Sequence, residues 1–274
     1  MLKSIKKETL KYWNERISKL TFQGSFIQLS IEEKENVTWK SVINNVPRGI
    51  LSFAMKSNVN GLNTADNLKR WGIRQTDNCD QCGNFGYLEH TLNWCKKSLD
   101  KGHFTWRHNS ILSHLAKELI EANTGGVWTV YADISGLTLN GETIPPNVLV
   151  TSERPDLVFL DRSSKSIDLF KLTCSYEKNI DAAYLRKSTK YSDLKSDLEA
   201  AGWTTGRTPL KTGSRGYVTK RNYTTLTGLT KKLSKPIKYK KPITELSKIS
   251  LLCSFSIFQA CCQPTWQDPP FLHP

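Results

Sequence analysis

What this 274-residue chain lacks narrows its class before any motif is considered. No apolar run approaches the roughly 18 residues of a membrane span. The opening Met1-Leu2-Lys3-Ser4-Ile5-Lys6-Lys7-Glu8 has lysines with no hydrophobic core behind them, so neither a spanning helix nor secretion is expected. There is no internal repeat and no long low-complexity tract, which sets repeat architectures aside. Acids are scarce in one place: residues 201–248 hold 12 Lys/Arg against a single acid. Residues 1–200 hold 27 against 23, so the formal charge of +14 is mostly local. Such a stretch suits a polyanion, because few acids oppose counterion release on phosphate binding. A solvated linker is the other reading of the same run, since Lys231 to Pro242 has two prolines and few apolar residues.

With 38% hydrophobic and 23% charged residues, the chain is long enough to bury a core. The spacing of Leu10, Trp13, Ile17 and Leu20 predicts an amphipathic packing helix within residues 3–20. Pro47 opens a second helical stretch, and Thr64 caps a third that stops at Gly72. Ile111, Leu112, Leu115, Leu119 and Ile120 form a helical stripe that ends before Gly125-Gly126. Strands are expected at 127–131, 157–160 and 167–174, a long helix at 177–201 closed by Gly202, and a short strand within 207–218. This order, helix, three strands, helix, strand, is an α/β core.

Seven cysteines are an odd number, and three of them sit with a histidine, so a disulfide framework is the weaker reading. The compartment is expected to be reducing. Cys79-x2-Cys82-x7-His90-x4-Cys95 offers three thiolates and an imidazole to one tetrahedral ion, and zinc is its natural occupant. Four filled positions leave no open site, so the metal is expected to be structural. The retroviral zinc knuckle has four residues between its second cysteine and its histidine where this chain has seven, a partial match only. Cys174, Cys253, Cys261 and Cys262 read as core or tail thiols.

Arg154-Pro155-Asp156 stands before the strand at 157–160, and Lys187, Lys190 and Tyr191 follow on the next helix. With the cysteine cluster, Arg107-His108-Asn109, Gly213-Ser214-Arg215-Gly216 and Cys253-Ser254-Phe255-Ser256-Ile257-Phe258, this ordered set resembles the C-terminal zinc-finger and restriction-like endonuclease region of site-specific non-long-terminal-repeat retrotransposon polyproteins. The likeness runs from about Pro47 onward, without the reverse transcriptase that lies upstream in that family. It implies a restriction-endonuclease-like fold, preceded by a helical region and a zinc finger. The segments would be 1–75 helical, 76–100 zinc finger, 101–225 nuclease-like, and 226–274 basic segment and tail.

The resemblance further implies a metal-dependent cut in DNA, with Asp156 as the first carboxylate and Lys187 and Lys190 as the lysines of the reaction. That chemistry needs two carboxylates on a magnesium or manganese ion that polarises the phosphate and acidifies a water. In the family pattern the second acid stands in the middle of the second strand, followed by Leu and Thr; here that place is Lys171. Asp168 lies three residues away on the opposite strand face, and Glu177 lies past the strand end. The expected function is therefore a retrotransposon-derived, nuclear, nucleic-acid-binding protein with impaired cleavage. Its partner is DNA, with element RNA as a second candidate. An active nicking enzyme with a compensating acid, and a non-catalytic zinc-bearing interaction protein, stay open as alternatives. Arg107, His108, Asn109, Arg215, Lys220, Arg221, Lys231 and Lys232 are the candidate nucleic-acid contacts, although the triplet at 107–109 reads equally as helix capping.

Overall fold

The computed structural model describes residues 2–21, 24, 26, 42, 45–180, 182, 183, 185, 191–218, 220–233 and 240–262. Its centre is a four-stranded mixed sheet in the order β1-β2-β3-β4, with β1 Thr129–Ala132, β2 Leu157–Asp161, β3 Ser166–Ser175 and β4 Thr204–Gly213. The first three strands are antiparallel neighbours, and β4 runs parallel to β3. A parallel pair needs a long connection, and the helix Ser192–Ala200 lies within it.

The helices are α1 Leu2–Ser18, α2 Arg48–Asn58, α3 Ala65–Arg70, α4 Lys96–Asp100, α5 His103–Ala122, α6 Ser192–Ala200, α7 Lys220–Thr230 and α8 Lys240–Cys262. Most expected elements form within a few residues of their predicted bounds. The helix expected at 177–201 is described as a short 3₁₀ turn, Glu177–Asn179, helical residues at 180, 182, 183 and 185, and then α6. The packing role expected for α1 is not what the structure gives: none of its residues is buried, and Leu10 and Trp13 face solvent.

Two-sided burial explains why β2 and β3 read as apolar runs. On one face Leu157, Phe159, Phe170, Leu172 and Leu210 pack against Ile111, Leu112, Leu115 and Leu119 of α5, Leu226 of α7 and Leu246 of α8. On the other, Val158, Leu160, Ile167 and Leu169 meet Tyr191, Leu194 and Leu198 at α6. Each such side chain contributes about 1.5–3 kcal/mol when fully buried. The tight connection between β2 and β3 is held by Asp161, whose carboxylate accepts from Ser163 N (2.9 Å) and from the hydroxyls of Ser163 (2.6 Å) and Ser164 (2.7 Å).

A second core joins α2, the cysteine loop and the end of α8 through Phe53, Leu88, Leu92, Leu251, Ile257 and Phe258. Helix α8 thus belongs to both cores. The segment expected as a basic tail carries a buried helix that closes the sheet on one side and the cysteine loop on the other.

Candidate metal centre and the Asp156 site

Asp156 immediately precedes β2. In the β2/β3 ladder Leu157 faces Phe170 and Val158 faces Leu169, so one further step places Asp156 opposite Lys171. The two-residue period puts both on the sheet face that packs against Tyr191 and α6. Asp156 is 3% exposed. Its Oδ1 accepts from Lys171 Nζ at 2.7 Å, and its Oδ2 accepts from Leu172 N at 2.6 Å. His108 Nε2, from the second turn of α5, lies 3.6 Å from Oδ1. The Lys171 ammonium also sits 5.2 Å from the centre of the Tyr191 ring, whose hydroxyl donates to Arg154 O at 3.1 Å.

The electrostatics follow from this enclosure. Burial works against the charged carboxylate, yet His108 and the Lys171 ammonium outweigh it and hold Asp156 below the ordinary carboxylate range. Burial likewise opposes the ammonium, and the facing Asp156 carboxylate raises Lys171 above the ordinary lysine value. The charge of Asp156 is therefore matched inside the protein. The donor set does not fit magnesium or manganese: one carboxylate oxygen already holds an ammonium, and the cross-strand partner is itself a cation.

Neither substitute acid is free to complete the set. Asp168 lies on the other face of β3, opposite Phe159, with Oδ2 2.5 Å from Lys232 Nζ. Glu177 is buried and accepts from Arg215 N and Arg215 Nε, each at 2.6 Å. Gly213 makes that clamp feasible, because a Cβ there would stand 2.2 Å from Glu177 Oε1. Lys187 and Lys190 lie outside the described residues.

The candidate nucleic-acid contacts divide by burial. Arg107 is 1% exposed and donates through Nη1 to Ser254 Oγ at 2.9 Å while lying over the Phe104 ring. Arg215 is 2% exposed and is enclosed by Glu177, the Ser57 carbonyl and the Tyr176 ring. Burial corrects the expectation that these two arginines reach phosphate: each ties a loop or helix to α8 or to the β3 end instead. His108 is drawn to Asp156, and its Nδ1 lies 3.1 Å from Asn109 Oδ1. Lys231 and Lys232 are exposed, with Lys232 engaged by Asp168. Lys220 and Arg221 fall on α7, with side chains outside the described residues.

Cys79, Cys82, His90 and Cys95 converge so that their four ligand atoms lie within 4.8 Å of one another. Local backbone explains the convergence. Cys79 N donates to Asn84 O at 2.6 Å and Gly83 N donates to Cys79 O at 2.8 Å, a tight knuckle in which Gly83 takes a φ of 75°. Gly86 is required by contact: a Cβ there would stand 2.9 Å from Cys79 N. A π-helical turn, His90–Trp94, brings His90 and Cys95 together, with Cys95 N donating to His90 O at 2.8 Å. Cys82 Sγ is 3.2 Å from His90 Nε2, and Cys79 Sγ is 3.9 Å from Cys95 Sγ. Two sulfurs on one tetrahedral zinc stand roughly 3.8 Å apart, given Zn–S bonds of about 2.3 Å. The donor set and spacing fit a structural zinc site.

Sequence reasoning missed a further thiol beside this set. Cys261, near the end of α8, places its Sγ 3.8 Å from Cys79 Sγ. Its separation of 166 residues from Cys95 hides it from any motif. Glu89, beside His90, fixes the loop to the β3 end by accepting from Lys178 Nζ at 2.6 Å and from Trp94 Nε1 at 3.2 Å.

No family model matches the chain, and no curated protein matches it. Among solved structures, the chain is similar to an N-terminal domain of a reptarenavirus L protein, with 16% sequence identity and a TM-score of 0.31. That similarity covers 60% of this chain and 79% of the viral one. The chemistry of both sites rests on this chain's own residues.

Proposed function

We propose that this protein is a retrotransposon-derived nucleic-acid-binding module built on a restriction-endonuclease-like sheet, in which Lys171 has taken the place of the second metal-binding acid and cleavage is lost or severely impaired. The observation that carries this reading is the cross-strand pairing of Asp156 with Lys171. By the resemblance, the first acid of such a site precedes one strand and the second stands in the middle of the next. Here that partner is a cation, 2.7 Å from the carboxylate.

The element order α5, β1, β2, β3, α6, β4 supports the fold assignment, as does a β4 parallel to β3. The chain carries a net +14, concentrated in 201–248, and exposed Lys231 supplies part of a phosphate-contacting surface. Zinc at Cys79, Cys82, His90 and Cys95 would hold the finger beside α8 without joining any reaction. DNA is the proposed partner and the nucleus the proposed location, both from the family resemblance.

The reading is tested by measuring binding of a labelled DNA duplex across a salt series. Phosphate contact predicts a linear fall of log affinity with log salt, with a slope of about −0.9 per phosphate neutralised. Affinity that does not change with salt overturns the nucleic-acid reading.

A further inference from the structure

Cys79, Cys82, His90 and Cys95 satisfy a tetrahedral zinc ion, and a further thiol, Cys261, lies against the first of them. Cys79 Sγ lies 3.9 Å from Cys95 Sγ and 3.8 Å from Cys261 Sγ, so Cys261 stands as close to the first ligand as another member of the four-residue set does. Cys79, Cys95 and Cys261 form one buried cluster, with Cys82 packed against it. The approach is held from both sides: Gln81 Nε2, between the first two ligands, donates to Cys261 O at 3.3 Å. Along α8, Phe258 and Ile257 pack into the core shared with Leu88 and Leu92 of the cysteine loop.

We propose that Cys261 is a reserve ligand of this metal centre, completing an all-thiolate set with Cys79, Cys82 and Cys95 when His90 is absent. Thiolate is the preferred donor for zinc, and four thiolates make as regular a structural site as three thiolates and an imidazole. The ion then anchors a residue far away in sequence as well as a local loop. Through Cys261 it is linked to α8, which also holds Arg107 and the Ser214 carbonyl by way of Ser254. The proposal rests on the zinc reading of the four-residue cluster and is independent of what the chain does to nucleic acid.

The test is cobalt(II) loading of the full chain in four forms: unsubstituted, His90→Ala, Cys261→Ala and the double variant. The unsubstituted chain is expected to give the absorption of a site with three thiolates and one imidazole. His90→Ala is expected to bind one cobalt with the stronger sulfur charge-transfer and red-shifted d–d bands of a four-thiolate site. The double variant is expected to bind at least 100-fold more weakly than His90→Ala. Equal binding by His90→Ala and the double variant overturns the proposal, as does a His90→Ala chain that takes up no cobalt, including one that fails to fold. A second readout uses His90→Ala loaded with cadmium-113, where scalar coupling from the metal to the Cys261 β-protons is expected and its absence counts against the proposal. If the unsubstituted chain binds no cobalt, the zinc reading falls and this proposal falls with it. If that chain binds and His90→Ala does not, only this proposal falls.

Discussion

Lys171 Nζ stands 2.7 Å from Asp156 Oδ1, one step beyond the last paired residues of the β2/β3 ladder. Removing the ammonium leaves a carboxylate that is 3% exposed with Leu172 N and His108 as polar neighbours among the described residues. Lys171→Met is therefore expected to destabilise the fold by about 2–3 kcal/mol, the cost of a buried charge deprived of its partner. Asp156→Asn/Lys171→Met is expected to recover part of that loss. Urea melts of the single and double variants measure the coupling.

The pH dependence of that coupling has a definite sign. Asp156 titrates below its ordinary 3.8 in the folded state, so its contribution is fully present above pH 3.8 and is lost as pH falls through the depressed value. Lys171 titrates above its ordinary 10.5, so its contribution is present below pH 10.5 and is lost as pH rises through the raised value. The stability difference between the unsubstituted chain and Lys171→Met should shrink as pH falls below 3.8 and Asp156 takes up its proton. A difference that persists undiminished in acid would contradict this assignment.

Arg215 tests burial against surface charge. Its pairing with Glu177 is enclosed by the Ser57 carbonyl and the Tyr176 ring. Arg215→Met is expected to cost about 3–5 kcal/mol, as breaking a buried ion pair does. The salt slope of DNA binding by the folded variant should be unchanged. Lys231→Ala should do the reverse, leaving stability within about 0.5 kcal/mol and lowering the slope by about 1.

Metal removal should loosen more than the finger. Leu88 and Leu92 of the cysteine loop share a core with Leu251 and Ile257 of α8. A chelator is therefore expected to raise amide exchange in residues 79–95 and in the last turns of α8, while β2 and β3 stay protected. Protection unchanged in both segments would show that zinc does not support this part of the fold.

Much of this architecture is legible in the sequence because its strands are short apolar runs between turn residues and its helices carry 3.6-residue stripes. Leu157–Asp161 and Ser166–Ser175 appear within two residues of their expected bounds. The Cys79 to Cys95 ligands are legible because one local loop carries them all. What sequence hides is partnership at a distance. Arg107 and Arg215 read as surface cations because arginine usually is one, and their burial depends on Ser254 and Glu177, far along the chain. His108 joins Asp156 only when α5 crosses the sheet. Cys261 reaches the metal loop only because α8 packs on both cores. Helix α1 has an apolar stripe but no cover among the described residues, so periodicity alone misplaces it.

The most direct test of the central claim, that Lys171 has taken the place of the second metal-binding acid opposite Asp156, is supercoiled-plasmid nicking with magnesium or manganese by the unsubstituted chain, Lys171→Glu and Asp156→Ala. Restoring a carboxylate at position 171 would return the acid pair that a divalent ion needs. The account predicts no cleavage by the unsubstituted chain or Asp156→Ala, and metal-dependent nicking by Lys171→Glu. Nicking by the unsubstituted chain that disappears in Asp156→Ala would contradict it.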